Sequence, residues 1–192
     1  MTNQTMETIL HRRSIRKYTA EGISEESLEQ ILQAGLYAAN GGNHQVVRLF
    51  VLHGEHIDEL NDAIVQTMAS RPIDPSSYQN KSVIRAKGPS CHFFFHAPVL
   101  ILAVAPADHA NSMADSACAL ENMQIAAASF GLGSCWINTP HWTTDEPLVR
   151  ELLTRYGVRP EESVFGSVIV GHSDGDWPEP KPRKEGRIVR VS

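Results

Sequence analysis

Nine consecutive apolar residues at positions 97–105 (APVLILAVA) constrain the fold of this chain more than any other feature. The run is too short for a transmembrane helix, which needs about 20 apolar residues. It is rich in Val, Ile and Leu and does not alternate with polar residues, which is typical of a strand covered on both faces. The sequence therefore predicts a central strand here, with helices packed on both sides of its sheet.

The rest of the chain alternates between helical and strand patterns. Ser24 is a candidate N-cap, and the apolar residues after it recur at helical spacing. This stripe is expected to be buried and consists of Leu28, Ile31, Leu32, Leu36 and Ala39. Further helices are predicted near residues 6–13, 57–68, 115–131 and 147–156, and further strands at 46–52, 134–138 and 163–171. Such alternation predicts an α/β or α+β fold.

Two segments need separate treatment. Asp145 is the expected cap of the last helix, Pro147 opens it, and the apolar stripe expected along it consists of Leu148, Leu152 and Tyr156.

Residues 69–92 contain three prolines and no clear period. A segment of this kind is either functional or a plain mobile loop.

Length and cysteine usage limit the class of protein. The chain has 192 residues, which fits a single domain spanning 1–192, and residues 172–192 are expected to form an extended tail. Three cysteines without a CxxC pair argue against a disulfide framework. Because the N-terminus also lacks the pattern of a secretory signal, we predict a cytoplasmic protein without a membrane partner.

Nine histidines raise the question of a metal site. His92 and His96 are four residues apart in a segment that favours a strand, where such residues lie roughly 13 Å apart. That distance is too long for one ion, and no Glu or Cys completes a set with zinc-type spacing. We therefore predict structural or surface histidines and no metal.

Positive charge is concentrated at both ends, although the formal net charge is -5. The N-terminal cluster surrounds Ser14, has no neighbouring carboxylate in the sequence, and consists of Arg12, Arg13, Arg16 and Lys17. The tail adds Lys181, Arg183, Lys184, Arg187 and Arg190. A phosphate ester suits such groups, because its oxygens match guanidinium groups and a hydroxyl. Nucleic acid, which the acidic chain disfavours, and two solvated ends are the alternatives.

Four motifs together resemble the FMN-dependent nitroreductases. They are RRSIRKY, GGNHQVVRLFV, an Asp separated by five residues from ENMQIAAASFGLGSCWI, and the closing KPRK, and they occur in the order found in that family. The resemblance implies an α+β fold with a central, mainly antiparallel sheet flanked by helices. It also implies an intertwined homodimer with two FMN sites at the subunit interface, each built by both chains.

The resemblance also implies which residues hold the cofactor. Arg12, Arg13, Ser14 and Arg16 match the N-terminal phosphate motif, and Lys181 and Arg183 match the C-terminal basic pair. Asn43 and Gln45 match the Asn-x-Gln contributed by the partner subunit, and Asn138 and Thr139 fall where backbone amides approach flavin N5. The chain departs from the family at Ala39-Asn40 and Val46-Val47, which replace Pro-Ser and Pro-Trp.

In this family the flavin takes a hydride from NADH or NADPH and then reduces a small acceptor, by a ping-pong mechanism. The redox chemistry belongs to the cofactor, so no catalytic side chain is expected. Nitroaromatics, quinones or related electrophiles are the expected acceptors. Two alternatives stay open at this point: a non-nitro reaction on bound flavin, such as dehalogenation or flavin cleavage, and a flavin- or phosphate-binding protein without turnover.

Overall fold

The structure is a computed structural model and describes residues 3–191. Its helices are α1 (Gln4–His11), α2 (Glu25–Leu36), α3 (Glu55–Ser70), α4 (Asn80–Ala86), α5 (Ser112–Ser129), α6 (Thr139–Thr143) and α7 (Pro147–Arg155). Its strands are β1 (Arg48–Leu52), β2 (Val99–Pro106), β3 (Gly133–Ile137) and β4 (Glu162–Gly171), and a 3-10 turn covers Gly41–Asn43.

The four strands form one antiparallel sheet in the order β1-β2-β4-β3. β2 is an inner strand, as its apolar run predicts, and every residue of it before Pro106 is buried. Leu102 lies opposite Phe50 of β1 and Ser167 of β4. The expected α+β class with a mainly antiparallel sheet is thus confirmed.

Helices cover both faces of the sheet, because side chains alternate between the two faces along each strand. On one face Leu100, Leu102 and Val104 pack into a cluster with α3, α4 and α7. On the other face Ile101 and Val168 pack into a second cluster with α2 and α5. A sheet enclosed in this way explains why β2 carries no polar residue.

The cap of α2 is confirmed, but its predicted stripe is only partly buried. The Ser24 side chain accepts a hydrogen bond from the backbone N–H of Ser27 (3.2 Å). Leu28 and Ile31 are buried, whereas Leu36 is 54% exposed and Ala39 is also exposed. The prediction is wrong for the last two residues. In the last turn of α2 the buried residue is Gly35, which packs against Met123 and Leu49, so Leu36 points about 100° away from the covered side, and Ala39 lies beyond the end of the helix.

Two short helices were not predicted from the sequence pattern. α4 lies inside residues 69–92, where no regular structure was expected, and it buries Val83 and Ala86. α6 starts directly after Asn138, in a segment without apolar period. Helices of five to seven residues depend on tertiary packing and not on their own propensity.

The start and the buried side of α7 also differ from the prediction. The N-cap is Glu146 and not Asp145, with Pro147 as the first helical residue. Its buried residues are Val149 and Leu153, one position after the predicted stripe. A shift of one residue rotates the buried side by about 100°.

Candidate functional site

The basic segment, residues 12–16, lies against the first residues of β3. Ile15 donates its backbone N–H to the carbonyl of Ser134 (2.9 Å), and Ser14 forms a parallel bridge with Ser134. Gly133 permits this approach, since a Cβ at that position would lie 2.8 Å from the Cβ of Ile15. With Ile15 buried, the backbone is held on the sheet edge and Ser14 stays exposed.

Two of the four cations at the N-terminal end have carboxylate partners from distant parts of the chain. Arg12 Nε lies 3.5 Å from Glu121, and Lys17 Nζ lies 2.8 Å from Asp174. These two cations are therefore paired in the fold, although no carboxylate lies near them in the sequence. Arg16 is different: it is exposed and forms one long contact (3.5 Å) with a backbone carbonyl of its own segment. Within residues 3–191 no carboxylate is ion-paired with Arg16, so its charge is available to an anion.

Arg13 binds backbone carbonyls and connects the basic segment to the tail. Its Nε donates to the carbonyl of Pro178 (3.0 Å), and its Nη1 donates to two carbonyls at the end of α1, at 2.6 and 2.7 Å. Trp177 reinforces this connection, since its Nε1 donates to the carbonyl of His11 (2.7 Å) and its ring stacks on His11 at 4.8 Å. These contacts hold the tail on the basic segment, and the expected role of Arg13 at a phosphate stays a prediction.

Lys181 and Arg183 follow directly after this docked part of the tail. Both are exposed, and among the described residues neither has a hydrogen bond or an ion pair. The structure therefore brings the beginning of the tail to the basic segment, but it does not bring these two side chains into contact with it. Their expected role at a phosphate stays a prediction.

Asn138 and Thr139 lie at the other end of β3. The Oδ1 of Asn138 accepts a hydrogen bond from Nε1 of Trp136 (3.0 Å). Thr139 begins α6, and its buried Oγ1 has no hydrogen-bond partner within residues 3–191. One strand thus runs from the segment expected to hold a phosphate to the residues expected near a flavin ring.

Residues 40–45 form a third part of the candidate site. Gly42, Asn43 and Gln45 have φ values of 60°, 55° and 51°, in the left-handed region. Gln45 donates from its amide to Oδ1 of Asn43 (3.2 Å) and from its backbone N–H to Oδ1 of Asn40 (3.0 Å). The two predicted side chains therefore lie together and exposed.

Helix α5 separates residues 40–45 from the basic segment. Asp115 of α5 accepts a hydrogen bond from the backbone N–H of Gly41 (3.0 Å), whereas Glu121 of α5 is paired with Arg12. Six helical residues correspond to about 9 Å along the axis and about 240° around it. The two segments therefore contact different sides of the same helix, and no hydrogen bond among the described residues joins them.

Two buried titratable side chains beside the basic segment, Cys135 and Tyr18, provide no nucleophile. Burial raises the pKa of the Cys135 thiol, and the nearby positive charge of Arg16 opposes that rise only in part. Burial also raises the pKa of Tyr18, whose hydroxyl donates to the carbonyl of Ile15 (2.8 Å). Both groups are therefore neutral at physiological pH, which agrees with a site in which no side chain performs the chemistry.

The histidine pair differs from its expected geometry. Residues 92–97 form a turn and not a strand, so the rings of His92 and His96 lie 3.9 Å apart between centroids. Among the residues that the structure describes, no group of three or more potential ligands could hold a metal ion.

The same described part of the chain contains no helix with the length and apolar character needed to cross a membrane.

Sequence reasoning missed two residues that shape this site. Trp177 stands in a proline-rich tail, where an isolated aromatic residue was the available signal. Glu121, a residue of the ENMQ motif, is half-exposed and pairs with Arg12, a contact that nothing in the sequence indicates. Asn122, its neighbour, satisfies a backbone group, because its Nδ2 donates to the carbonyl of Ala34 (3.0 Å).

Comparisons with known proteins identify the family and the fold of this chain. The family model for nitroreductases matches residues 9–172. A curated relative, the NADPH-flavin oxidoreductase of Vibrio harveyi, is 34% identical over 193 residues, which cover 97% of this chain and 72% of the relative. A nitroreductase from Bacteroides fragilis, solved with bound FMN, is 33% identical with a TM-score of 0.90 and 100% of both chains covered.

A second solved structure, a nitroreductase with bound FMN from Desulfitobacterium hafniense, shares the fold at 22% identity, with a TM-score of 0.85 over the full length of both chains. The resemblance inferred from the four sequence motifs is thereby confirmed: this chain belongs to the nitroreductase family.

Proposed function

We propose that this protein is an FMN-dependent NAD(P)H oxidoreductase that reduces nitroaromatics, quinones or related electrophilic acceptors by a ping-pong mechanism. The observation that carries the proposal is the exposed pair Ser14 and Arg16, fixed on β3 with no carboxylate ion-paired with Arg16 in the described chain. The relatives, a flavin oxidoreductase and a nitroreductase solved with FMN, support the same activity.

The residues present fit FMN. A hydroxyl and two guanidinium groups, from Ser14, Arg12 and Arg16, supply the donors that a phosphate monoester requires. Lys181 and Arg183 add positive charge once the tail is docked at Trp177. FMN, when bound, supplies the transfer of a hydride equivalent from the nicotinamide to the acceptor. Asn43, Gln45, Asn138 and Thr139 would orient it, and Arg16 would stabilise negative charge on the reduced pyrimidine edge.

We also propose a homodimer, which is supported by the separation of the two half-sites. Residues 40–45 and the basic segment contact different sides of α5, so the two segments of one chain do not form one pocket by themselves. Exposed apolar residues on α1, α2 and α5 favour the same conclusion; they are Met6, Ile9, Leu10, Leu36, Met113 and the neighbouring Tyr37 and Phe130. In the dimer, the basic segment of one chain would meet residues 40–45 of the other. A cytoplasmic location remains a prediction from cysteine usage.

Identification of the cofactor is the first test. We expect heat-released cofactor from purified protein to co-migrate with FMN on chromatography, and the yellow protein to be bleached by NADH or NADPH under anaerobic conditions. Recovery of FAD, or no binding after incubation with FMN, would refute the cofactor. Binding without bleaching would favour a non-catalytic flavin protein. Bleaching without reoxidation by nitroaromatics or quinones would favour a different reaction on the flavin.

A complementation experiment tests the shared site. Arg12→Ala and Asn43→Ala each remove one half of every site, so each homodimer is expected to be inactive. After co-refolding, a heterodimer carries one doubly damaged and one intact site, so about a quarter of all sites should recover. If heterodimers form and no activity returns, the two segments do not serve the same flavin.

A further inference from the structure

Residues 40–45 are held in an unfavourable backbone conformation by contacts outside the loop. Asn43 and Gln45 both have positive φ, a region that non-glycine residues rarely adopt. Such conformations persist only where the surroundings determine them. The hydrogen bonds of Gln45 to Asn43 and Asn40 lie within the loop and cannot by themselves place it on the protein.

Three contacts from the start of α5 and the turn before it place the loop. Oδ1 of Asp115 accepts the backbone N–H of Gly41 at 3.0 Å. Nδ1 of His44 lies 3.3 Å from Nε2 of His109, within hydrogen-bond distance. The amide of Asn111 packs so closely on Gly41 that a Cβ there would lie 2.0 Å from its nitrogen. We call these contacts the loop clasp.

The histidine contact has a defined polarity. Nδ1 of His109 lies 3.4 Å from the backbone N–H of Asn111, which favours the tautomer of neutral His109 with its proton on Nε2. In that tautomer Nε2–H donates to Nδ1 of His44, which must then be unprotonated. The clasp is therefore a specific pairing of donors and acceptors and not a general attraction between two rings.

Asp115 is the central residue of the clasp. It is only 6% exposed, and its second oxygen, Oδ2, has no hydrogen-bond partner among the described residues. The side chain lines a cleft of about 150 Å³ together with Asn40 and Gln45, between apolar walls that include Val46 and Leu36. A buried carboxylate with one unsatisfied oxygen is costly, and its retention needs a reason beyond packing.

We propose that Asp115 and His109 are positioning residues for the flavin site, which fix residues 40–45 so that Asn43 and Gln45 are presented to FMN in a preformed arrangement. This inference rests on the proposed function for the flavin itself. The clasp as such stands on the hydrogen bonds above and is measurable in protein without flavin. A preformed loop binds more tightly because it loses less conformational freedom on binding.

The test compares Asp115→Ala, Asp115→Asn and the matched control Ser116→Ala. Ser116 is the next residue of α5, is fully buried, and has a hydroxyl without a hydrogen-bond partner in the described chain, so its removal breaks no contact of the clasp. The amide oxygen of Asn can still accept the N–H of Gly41. His109→Ala is included because this residue is only half-buried and its loss will not prevent folding.

Two quantities are measured on the full-length protein. The first is hydrogen exchange at residues 40–45 without flavin, and the second is the Kd for FMN from flavin fluorescence. Asp115→Ala should accelerate exchange of the Gly41 amide and weaken FMN binding by roughly tenfold or more, and His109→Ala should act in the same direction by about threefold. Asp115→Asn and Ser116→Ala should stay within about twofold of the wild type.

Each result tests either the loop clasp itself or its role in positioning residues 40–45 for FMN. Unchanged exchange in both Asp115→Ala and His109→Ala would overturn the clasp. Faster exchange with unchanged FMN affinity would overturn the positioning role. If Asp115→Asn is as defective as Asp115→Ala, the loop does not depend on an acceptor for Gly41. If the wild-type protein binds no FMN, the proposed function fails, while the exchange data still test the clasp.

Discussion

Replacing Gly133 with Ala tests whether the placement of the basic segment on β3 prepares Ser14 and Arg16 for a phosphate. The added Cβ would lie 2.8 Å from Cβ and Cγ1 of Ile15 and 2.9 Å from its Cγ2. Ile15 is β-branched and buried, so it cannot avoid the new atom by a rotamer change alone. The contact must be relieved by movement of the backbone on one side.

The basic segment is the side that moves. β3 is paired with β4 along its whole length, from Gly133 to Ile137, whereas the segment is attached to β3 by an isolated bridge. Overpacking of this kind costs about 1–3 kcal/mol of unfolding free energy. If Ser14 and Arg16 move with Ile15, we expect FMN binding to lose about 1–2 kcal/mol, which is about 5- to 30-fold in Kd.

Urea denaturation measures the change in unfolding free energy. An FMN titration, made under conditions in which each variant is fully folded, measures the change in Kd. Gly22→Ala is the matched control, since nothing lies within 4 Å of its added Cβ and its φ is not positive. Its stability should stay within about 0.5 kcal/mol of the wild type or rise slightly. Ile15→Ala in the Gly133→Ala background should relieve part of the clash, so the two changes should be less than additive.

Two outcomes would refute the reasoning. Wild-type stability in Gly133→Ala would mean that the neighbours absorb the new atom and that the close approach is not a constraint. A stability loss of the expected size with unchanged FMN affinity would show that the basic segment does not contribute to cofactor binding. In that case the phosphate would have to bind elsewhere.

Three further predictions concern single side chains. Arg16→Ala should weaken FMN binding about 10- to 100-fold, because one charge-assisted hydrogen bond is lost. Substitution of the exposed Arg190 with Ala should change the Kd by less than about twofold. Equal losses of affinity in an FMN titration would indicate a diffuse positive field and not a specific phosphate site. Trp177→Ala should weaken FMN binding about threefold to tenfold, because the tail loses its hydrogen bond to His11 and its stacking on that ring. An unchanged Kd would show that the docked tail does not contribute to the site. Burial acts to raise the pKa of Glu162, but hydrogen bonds from the Arg159 N–H and from Arg48 (2.7 Å) outweigh it, so the pKa is lowered. Its contribution to stability is therefore present above the ordinary Glu pKa of about 4.3 and is lost as the pH falls through the lowered value. Glu162→Gln should destabilise the protein at pH 7, and urea denaturation across pH should show that difference shrink in acid; a constant difference would contradict the assignment.

The sequence predicted the parts of the fold that depend on local pattern. The apolar run at 97–105 predicted an enclosed strand, and Ser24 could be assigned as a cap because its hydrogen bond is local. α4 could not be predicted in this way. Its seven residues are stabilised mainly by burial of Val83 and Ala86 against α3, and a short helix of that kind has no periodic signal of its own.

The candidate site was less predictable because its contacts join distant residues. The motif at residues 12–16 identified the basic segment, but nothing in it indicated that Glu121 would pair with Arg12 or that Arg13 would bind the carbonyl of Pro178. Exposure could not be predicted either. Leu36 has the spacing of a core residue, yet the buried residue in its turn is Gly35, whose small size lets α2 approach Met123, and Leu36 itself is exposed.

Helix α5 is the element that relates the two halves of the proposed site. Asp115 fixes residues 40–45 and Glu121 is paired with Arg12, so the helix sets the separation between these contacts at about 9 Å along its axis. A substitution that bends α5 would disturb both halves together and could not distinguish their roles. Arg12 and Asn43 lie outside the helix, so substitutions there change one half each. They are therefore the right pair for the complementation experiment, and recovery of activity in the heterodimer would assign the two halves to different chains.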